Sequence, residues 1–343
     1  MSTANLDAAD LAAVAVDGLI REEVMDKIWD ISRIPLPFTD MVGSGTVSNA
    51  RYSWTKDALQ AAVINGQQID GVDTTSINDT NTGSRVQNFC ETRVKVVQVS
   101  TRADASNTIG RSNELAYQIM MRQQELRRDV EATALSNNSS RADDGASTAG
   151  RTGALNAWIE TTLTVGATGS AGGFNTGTGI CDAYTPGTAA ALSEADFKDK
   201  LQAVYEQGGE SMVVMARPAV IRLFSEYQFT SGARIATMTR DTQGEAGPGT
   251  SLGAVNVYIG DFATVKLVAN RLQPTIASNK STMFILDPSL IDLVYLKGYS
   301  VEPLAKTGLS SKSQMSVDWG LRVGNEEGLA AIADIDETAA MVA

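Results

Sequence analysis

The stretch Ser112–Asn137, SNELAYQIMMRQQELRRDVEATALSN, decides the fold. Leu115, Ile119, Leu126, Val130 and Ala134 fall on one face at helical spacing, and Ser112 with Glu114 gives an N-cap and an acidic first turn. The pattern predicts a helix reaching Ser136 or Asn137, about 25 residues or ~37 Å at 1.5 Å per residue. Such a rod is long for a globular domain, and its single apolar stripe can bury only one side. A helix of this kind packs across a sheet as a strut.

The flanking sequence supplies strands. Thr92–Ser100 is β-branched and partly alternating, the pattern of a half-buried strand. Further on, Ser193 caps a helix marked by Phe197, Leu201, Val204 and Tyr205 and ended by Gly208-Gly209. Met212–Met215 reads as a buried strand, and Pro218–Tyr227 as a helix with Pro in its first turn. Short strands or helix fragments follow at 255–259, 265–269, 283–286 and 290–295. Segments 299–303, 314–323 and 329–334 complete a strand-rich C-terminal region. Helices and strands mix without a regular βαβ alternation, so the fold class is α+β rather than a doubly wound sheet.

Between these elements lie segments that cannot build a core of their own. Leu6, Leu11, Val14, Leu19, Val24, Ile28 and Ile31 suggest one or two amphipathic helices, stopped at Ile34-Pro35-Leu36-Pro37-Phe38. Residues 65–88 carry only four large apolar side chains, Ile69, Val72, Ile77 and Val86. That stretch is either disordered or an extended arm that finds its partners on another surface. Residues 137–153 read as a polar loop, and 164–191 as a longer one with seven Gly in 28 residues. Loops of this length point to a chain that meets partners rather than to a self-contained enzyme.

Composition narrows the chemistry. The 343 residues include 28 Lys plus Arg against 40 Asp plus Glu, a net charge of −12, and no His. His-based triads, HExxH zinc sites and imidazole switches are therefore excluded. At roughly 150 residues per domain the length allows about two domains. Cys90 and Cys181, without CxxC spacing, read as two reduced thiols of an intracellular protein. The acidic N-terminus does not read as a signal peptide, and no window has the ~18 apolar residues of a membrane span, so no membrane partner is expected. Arg122, Arg127 and Arg128 alternate with Glu125, Asp129 and Glu131, a solvated or subunit-facing salt-bridged surface rather than a nucleic-acid footprint.

Four motif matches fail on context. Ser53-Trp54-Thr55-Lys56 with Lys306-Thr307-Gly308 follows the S-x-x-K and K-T-G order of β-lactam-opening acyl-enzymes, making Ser53 and Lys56 the candidates for a serine acyl-transfer activity. That chemistry needs S-x-x-K at the start of a buried helix, whereas Ser53 lies in a strand-like stretch, and no S-D-N element is present. Gly43-Ser44-Gly45 and Gly177-Thr178-Gly179 lack the third Gly of a dinucleotide loop, where Ser48 and Asp182 stand. Asp70, Asp73 and Asp79 do not keep calcium-loop spacing. The sequons at Asn78, Asn138 and Asn279 carry no meaning without export. The expectation is therefore no enzyme, no catalytic, cofactor or metal residues, and no cofactor.

The wording of the chain resembles the major capsid proteins of tailed phages with the Hong Kong 97 (HK97-like) coat fold, and within them the SU10-like branch. The residues that carry this are Arg51-Tyr52-Ser53-Trp54 with Asp57-Ala58-Leu59, Val86-Gln87-Asn88-Phe89 before Val97-Gln98-Val99-Ser100, and Glu114-Leu115-Ala116-Tyr117-Gln118 with Glu125-Leu126-Arg127-Arg128-Asp129-Val130-Glu131. Gly153-Ala154-Leu155-Asn156-Ala157-Trp158-Ile159, Tyr258-Ile259-Gly260-Asp261-Phe262, Leu304-Ala305-Lys306-Thr307-Gly308 and Asn325-Glu326-Glu327 continue it in order, the likeness running from residue 14 to 335.

The resemblance implies an N-terminal arm at 1–48, an E-loop hairpin at 49–95 and a peripheral domain at 96–189 that includes the spine helix 112–137. It further implies an axial domain at 190–285 and a return to the peripheral domain at 286–343. Its function would be a major head protein that assembles in pentamers and hexamers into an icosahedral shell around double-stranded DNA, which it encloses without sequence-specific binding. Portal, separate scaffolding and decoration proteins are the implied partners, and the virion, assembled in the host cytoplasm, is the implied location. Lys56 lies in the region where this fold can cross-link, but no partner Asn or assisting Glu is identifiable, so no cross-link is expected. The alternative within the fold is an encapsulin-like compartment shell.

Overall fold

The computed structural model describes residues 35–59, 62, 64, 67, 69–71, 82–106, 113–210, 213–230, 257–261, 263–306 and 308–342. The helices expected over 6–33, along with Ser112, Asp73, Asp79, Asn78 and Thr307, lie outside them. The architecture is α+β and is organised by two sheets.

The first described elements are a short helix α1 (Pro37–Met41) and strands β1 (Gly43–Thr46), β2 (Arg51–Lys56), β3 (Ser84–Phe89) and β4 (Glu91–Ser100). Pro37, expected only to stop a helix, instead starts α1, where its missing N–H costs nothing. Helices α2 (Thr101–Ala105) and α3 (Glu114–Ala134) follow. The long helix is real but shifted at both ends. Its cap is Asn113, whose side chain accepts from Ala116 N at 2.8 Å. It stops at Ala134 because the chain is turned away: the Asn137 amide pairs both ways with the Tyr184 backbone, at 2.8 and 3.2 Å.

Next come α4 (Leu155–Trp158), β5 (Leu163–Thr164), β6 (Gly173–Asn175), β7 (Ile180–Asp182), α5 (Glu194–Glu206), β8 (Val213–Ala216) and α6 (Pro218–Thr230). The chain closes with β9 (Val257–Ile259), β10 (Thr264–Ala269), β11 (Lys280–Leu286), β12 (Ile291–Leu304), β13 (Ser310–Val323) and β14 (Ala330–Asp336). The two segments expected at 290–295 and 299–303 are one strand, β12, whose pairing slips between Tyr295 and Ser300 around Gly298.

The four-stranded sheet runs β1-β12-β13-β4, antiparallel except for the parallel β1–β12 pair. The strut lies across it. Leu126, Val130 and Ala134 share one core with Val97 and Val99 of β4 and Met315 and Val317 of β13. Each large side chain buried there stabilises by about 1.5–3 kcal/mol. Lys95 on β4 reaches Asp129 at 2.7 Å, tying helix to sheet at the edge.

The six-stranded sheet runs β5-β14-β11-β8-β10-β9. Its alternation serves two cores at once. Val214, Ala216, Met283 and Ile285 face Phe197, Leu201, Val220 and Phe224 of α5 and α6, whereas Met215, Phe284 and Leu286 point into the core of the strut. β14 pairs with β11 here and alternates in the same way, with Ala331 and Ala333 in the core of the strut and Ala330, Ile332 and Ile335 in that of α5 and α6.

The segment 164–191 is better built than its composition suggests. It contains the β6–β7 hairpin, turned at Gly177-Thr178-Gly179 with Gly179 at φ +68°. It is stitched to β14 by Asp334, whose carboxylate accepts from Gly166 N at 3.1 Å and Gly187 N at 2.7 Å. The loop 137–153 is likewise closed on itself, by the Arg141–Arg151 bridge.

Candidate functional site

Two tethers hold the projecting parts of the chain to this body. The first is the root of the β2–β3 hairpin, paired from Arg51↔Phe89 to Lys56↔Ser84. Alternation puts Tyr52, Trp54 and Lys56 on the inner face and Arg51, Ser53 and Thr55 outside. Tyr52 Oη donates to Leu321 O at 2.8 Å, and Trp54 Nε1 to Gly324 O at 3.2 Å. Gly320 makes room: a Cβ there would overlap the Tyr52 hydroxyl. From β3, Asn88 Nδ2 donates to Leu321 O at 2.7 Å, its Oδ1 accepts from Gly153 N at 2.9 Å, and Gln87 Nε2 donates to Gly179 O at 2.8 Å. Tyr52, Trp54, Trp158 and Phe174 form a ladder of rings with centroids 5.3–5.9 Å apart. Burial pushes the Tyr52 phenol well above its ordinary range, so it stays a neutral donor.

Beyond Lys56 the large apolar side chains among the described residues are exposed. Leu59, Ile64 and Ile69 are 100%, 87% and 76% exposed. The body carries a second exposed strip, Val94 (45%) and Val96 (52%), on β4 at the edge of its sheet.

The second tether is Glu131. Expected on a salt-bridged surface, it is fully buried, because the α1 segment lies over it. Its oxygens accept from Phe38 N at 2.9 Å, Thr39 N at 2.8 Å, Thr39 Oγ1 at 2.6 Å and Asn270 Nδ2 at 2.7 Å. A carboxylate of α3 thus caps α1, which itself has no side-chain cap. On the rest of that charged face Arg122 pairs with Glu125 and Asp129 with Lys95, whereas Arg127 stacks over Tyr299 at 5.4 Å and Arg128 Nε is buried. No periodicity marks Glu131; it becomes visible only once residues 93 apart meet.

The acyl-transfer candidates do not meet. Ser53 and Lys56 point to opposite faces of β2; Ser53 Oγ accepts from Arg85 at 2.7 and 3.0 Å, and Lys56 Nζ lies 3.8 Å from Glu326. Lys306 is exposed just past β12. Cys90 and Cys181 are both free thiols, and burial raises both, Cys90 to about 11 and Cys181 well above its ordinary range. Among the described residues no group of three or more acidic or Cys side chains could hold a metal, and no helix is long and apolar enough to cross a membrane.

A bolted hairpin root, an anchored α1 segment and a helix strut across a sheet are thus the parts that the described residues assemble. The family model of the SU10 major capsid protein matches residues 3–336. The chain belongs to this family. It is a phage major capsid protein, a component of the virion, and its shell is made of many copies of itself. The major capsid protein of Escherichia phage Phieco32 is 26% identical over 84% of this chain and 87% of its own. Among solved structures, the capsid of Cyanophage A-1(L) superposes with a TM-score of 0.60 at 13% identity, over 93% of this chain and 98% of the other. The SrpI encapsulin of Synechococcus elongatus superposes at 0.56 and 13%, over 98% of each. These likenesses show the HK97-like fold.

Proposed function

We propose that copies of this chain clasp one another through the β2–β3 hairpin and its extension, forming pentamers and hexamers that close an icosahedral shell around double-stranded DNA. The observation that carries this is the row Leu59, Ile64 and Ile69, nearly fully exposed beyond a rigidly bolted root. Three such side chains in water forgo about 1.5–3 kcal/mol each, which burial on a neighbour returns. The strip of Val94 and Val96 on a neighbouring copy is the matching receiver.

In this reading residues 1–48 are the N-arm, 49–95 the E-loop, 96–189 the peripheral domain around its spine helix, and 190–285 the axial domain. Residues 286–343 return to the peripheral domain. The net charge of −12 keeps enclosed DNA from sticking to the wall. Portal, separate scaffolding and decoration proteins complete the particle, assembled in the host cytoplasm, and the subunit performs no catalysis.

Replacing Leu59, Ile64 and Ile69 together by Ser tests the reading. Negative-stain microscopy should show shells of uniform diameter from the parent and none from the variant, with unchanged unfolding of the free subunit. Shells from both at the same concentration overturn it. The encapsulin likeness supports a second reading, a compartment shell. Cargo-filled shells without DNA or a portal vertex favour that one; DNA-filled heads favour the first.

A further inference from the structure

The inner face of the hairpin roofs a cleft of about 130 Å³ beside the ring ladder of the first tether. Its walls include Trp158 and Phe174, stacked 5.9 Å apart with an interplanar angle of 4°. Lys56, Glu160 and Glu326 supply its charges, two carboxylates against one ammonium, leaving the lining at −1. A single water needs only about 10–15 Å³, so a whole side chain can enter.

The two carboxylates differ in what they already hold. Glu326 accepts from the Glu160 and Thr161 amides at 3.3 and 3.2 Å and from Thr161 Oγ1 at 2.8 Å, with Lys56 Nζ at 3.8 Å. Its charge is committed. The Glu160 carboxylate joins no ion pair and accepts no hydrogen bond among the described residues. Room for it is made by Gly173, which sits at φ +117° and where any Cβ would overlap that carboxylate. An unpaired, solvent-exposed carboxylate thus lines the same cleft as the half-buried Phe174 ring, whereas Trp158, covered by Trp54 and Phe174, forms its floor; an open aromatic ring attracts cations.

We propose that the cleft receives a basic side chain of a second copy of this chain, its cation set between the Glu160 carboxylate and the Phe174 ring. Arginine fits best, since its planar fork both pairs with a carboxylate and stacks on rings. The inference rests on the clasping reading above, because the cleft lies at the root of the hairpin on which that reading depends.

Two measurements test it. A near-atomic map of the assembled shell should show a neighbour's Arg or Lys within hydrogen-bond reach of Glu160. Glu160→Gln should raise the protein concentration at which shells appear by roughly three- to tenfold, leaving the unfolding midpoint of the free subunit in place. Shells whose cleft holds solvent or the subunit's own residues, or a Glu160→Gln threshold equal to that of the parent, overturn this inference alone. Absence of shells under all conditions overturns the clasping reading and this inference with it.

Discussion

Replacing Glu131 by Ala should cost the free subunit about 3–5 kcal/mol, the range for removing one partner of a buried charged network. The figure follows from who is left behind. Phe38 N and Asn270 Nδ2 lose their acceptor inside the core, at about 1–3 kcal/mol each. Thr39, half-buried, loses two bonds but can turn to water for about 1 kcal/mol more. Relief from burying a carboxylate offsets part of the sum. Glu131→Gln should cost less, about 1–2 kcal/mol, because Oε1 still serves Phe38 and Asn270 while the new NH₂ faces the Thr39 N–H. Urea unfolding of the unassembled subunit gives the totals. Hydrogen exchange locates them: the Phe38 and Thr39 amides should lose protection in the Ala variant before any amide of β12 or β13 does. Equal stability of parent and Ala variant, or equal cost for Ala and Gln, would refute the account of Glu131 as the cap of α1.

Gly320→Ala should evict the Tyr52 ring and loosen the hairpin root by about 1–3 kcal/mol, seen as faster proteolysis after Lys56. Ser53→Ala should change stability by less than about 0.5 kcal/mol and leave the protein equally unlabelled by a penicillin-like probe; a stoichiometric adduct on Ser53 in the parent would contradict the strand geometry. Cys90 should react slowly with thiol reagents near neutral pH and faster as pH approaches about 11, while Cys181 reacts only on unfolding. The sign for stability follows: from the ordinary thiol value of 9.0 up to about 11 the unfolded chain has released a proton the folded chain keeps, so stability should fall as pH rises through that window. Denatured shells should run as single chains on a gel, since Lys56 is engaged with Glu326; a ladder would show cross-linking.

Local patterns carried much of the architecture. The strut is legible because a helix repeats every 3.6 residues, and Leu126, Val130 and Ala134 keep that repeat. Ser193 announces α5 by capping chemistry that spans only three residues. The outward hairpin is legible as a lack: residues 65–88 hold too few apolar side chains to fold alone. Order and wording along the chain supplied the family resemblance.

What the sequence could not determine is every feature made by residues far apart along it. Glu131 is one charged residue among six until the α1 segment arrives from 93 residues away. Tyr52 is an ordinary strand residue until it meets Leu321, 269 positions on, over a glycine that leaves it space. β14 joins the six-stranded sheet by pairing with β11, and Ser53 and Lys56 part company only when alternation assigns their faces. Helix periods and caps act over a turn or two of chain and are written locally. Burial, pairing and the room left by a missing Cβ depend on which distant segments pack together, and only the tertiary structure decides that.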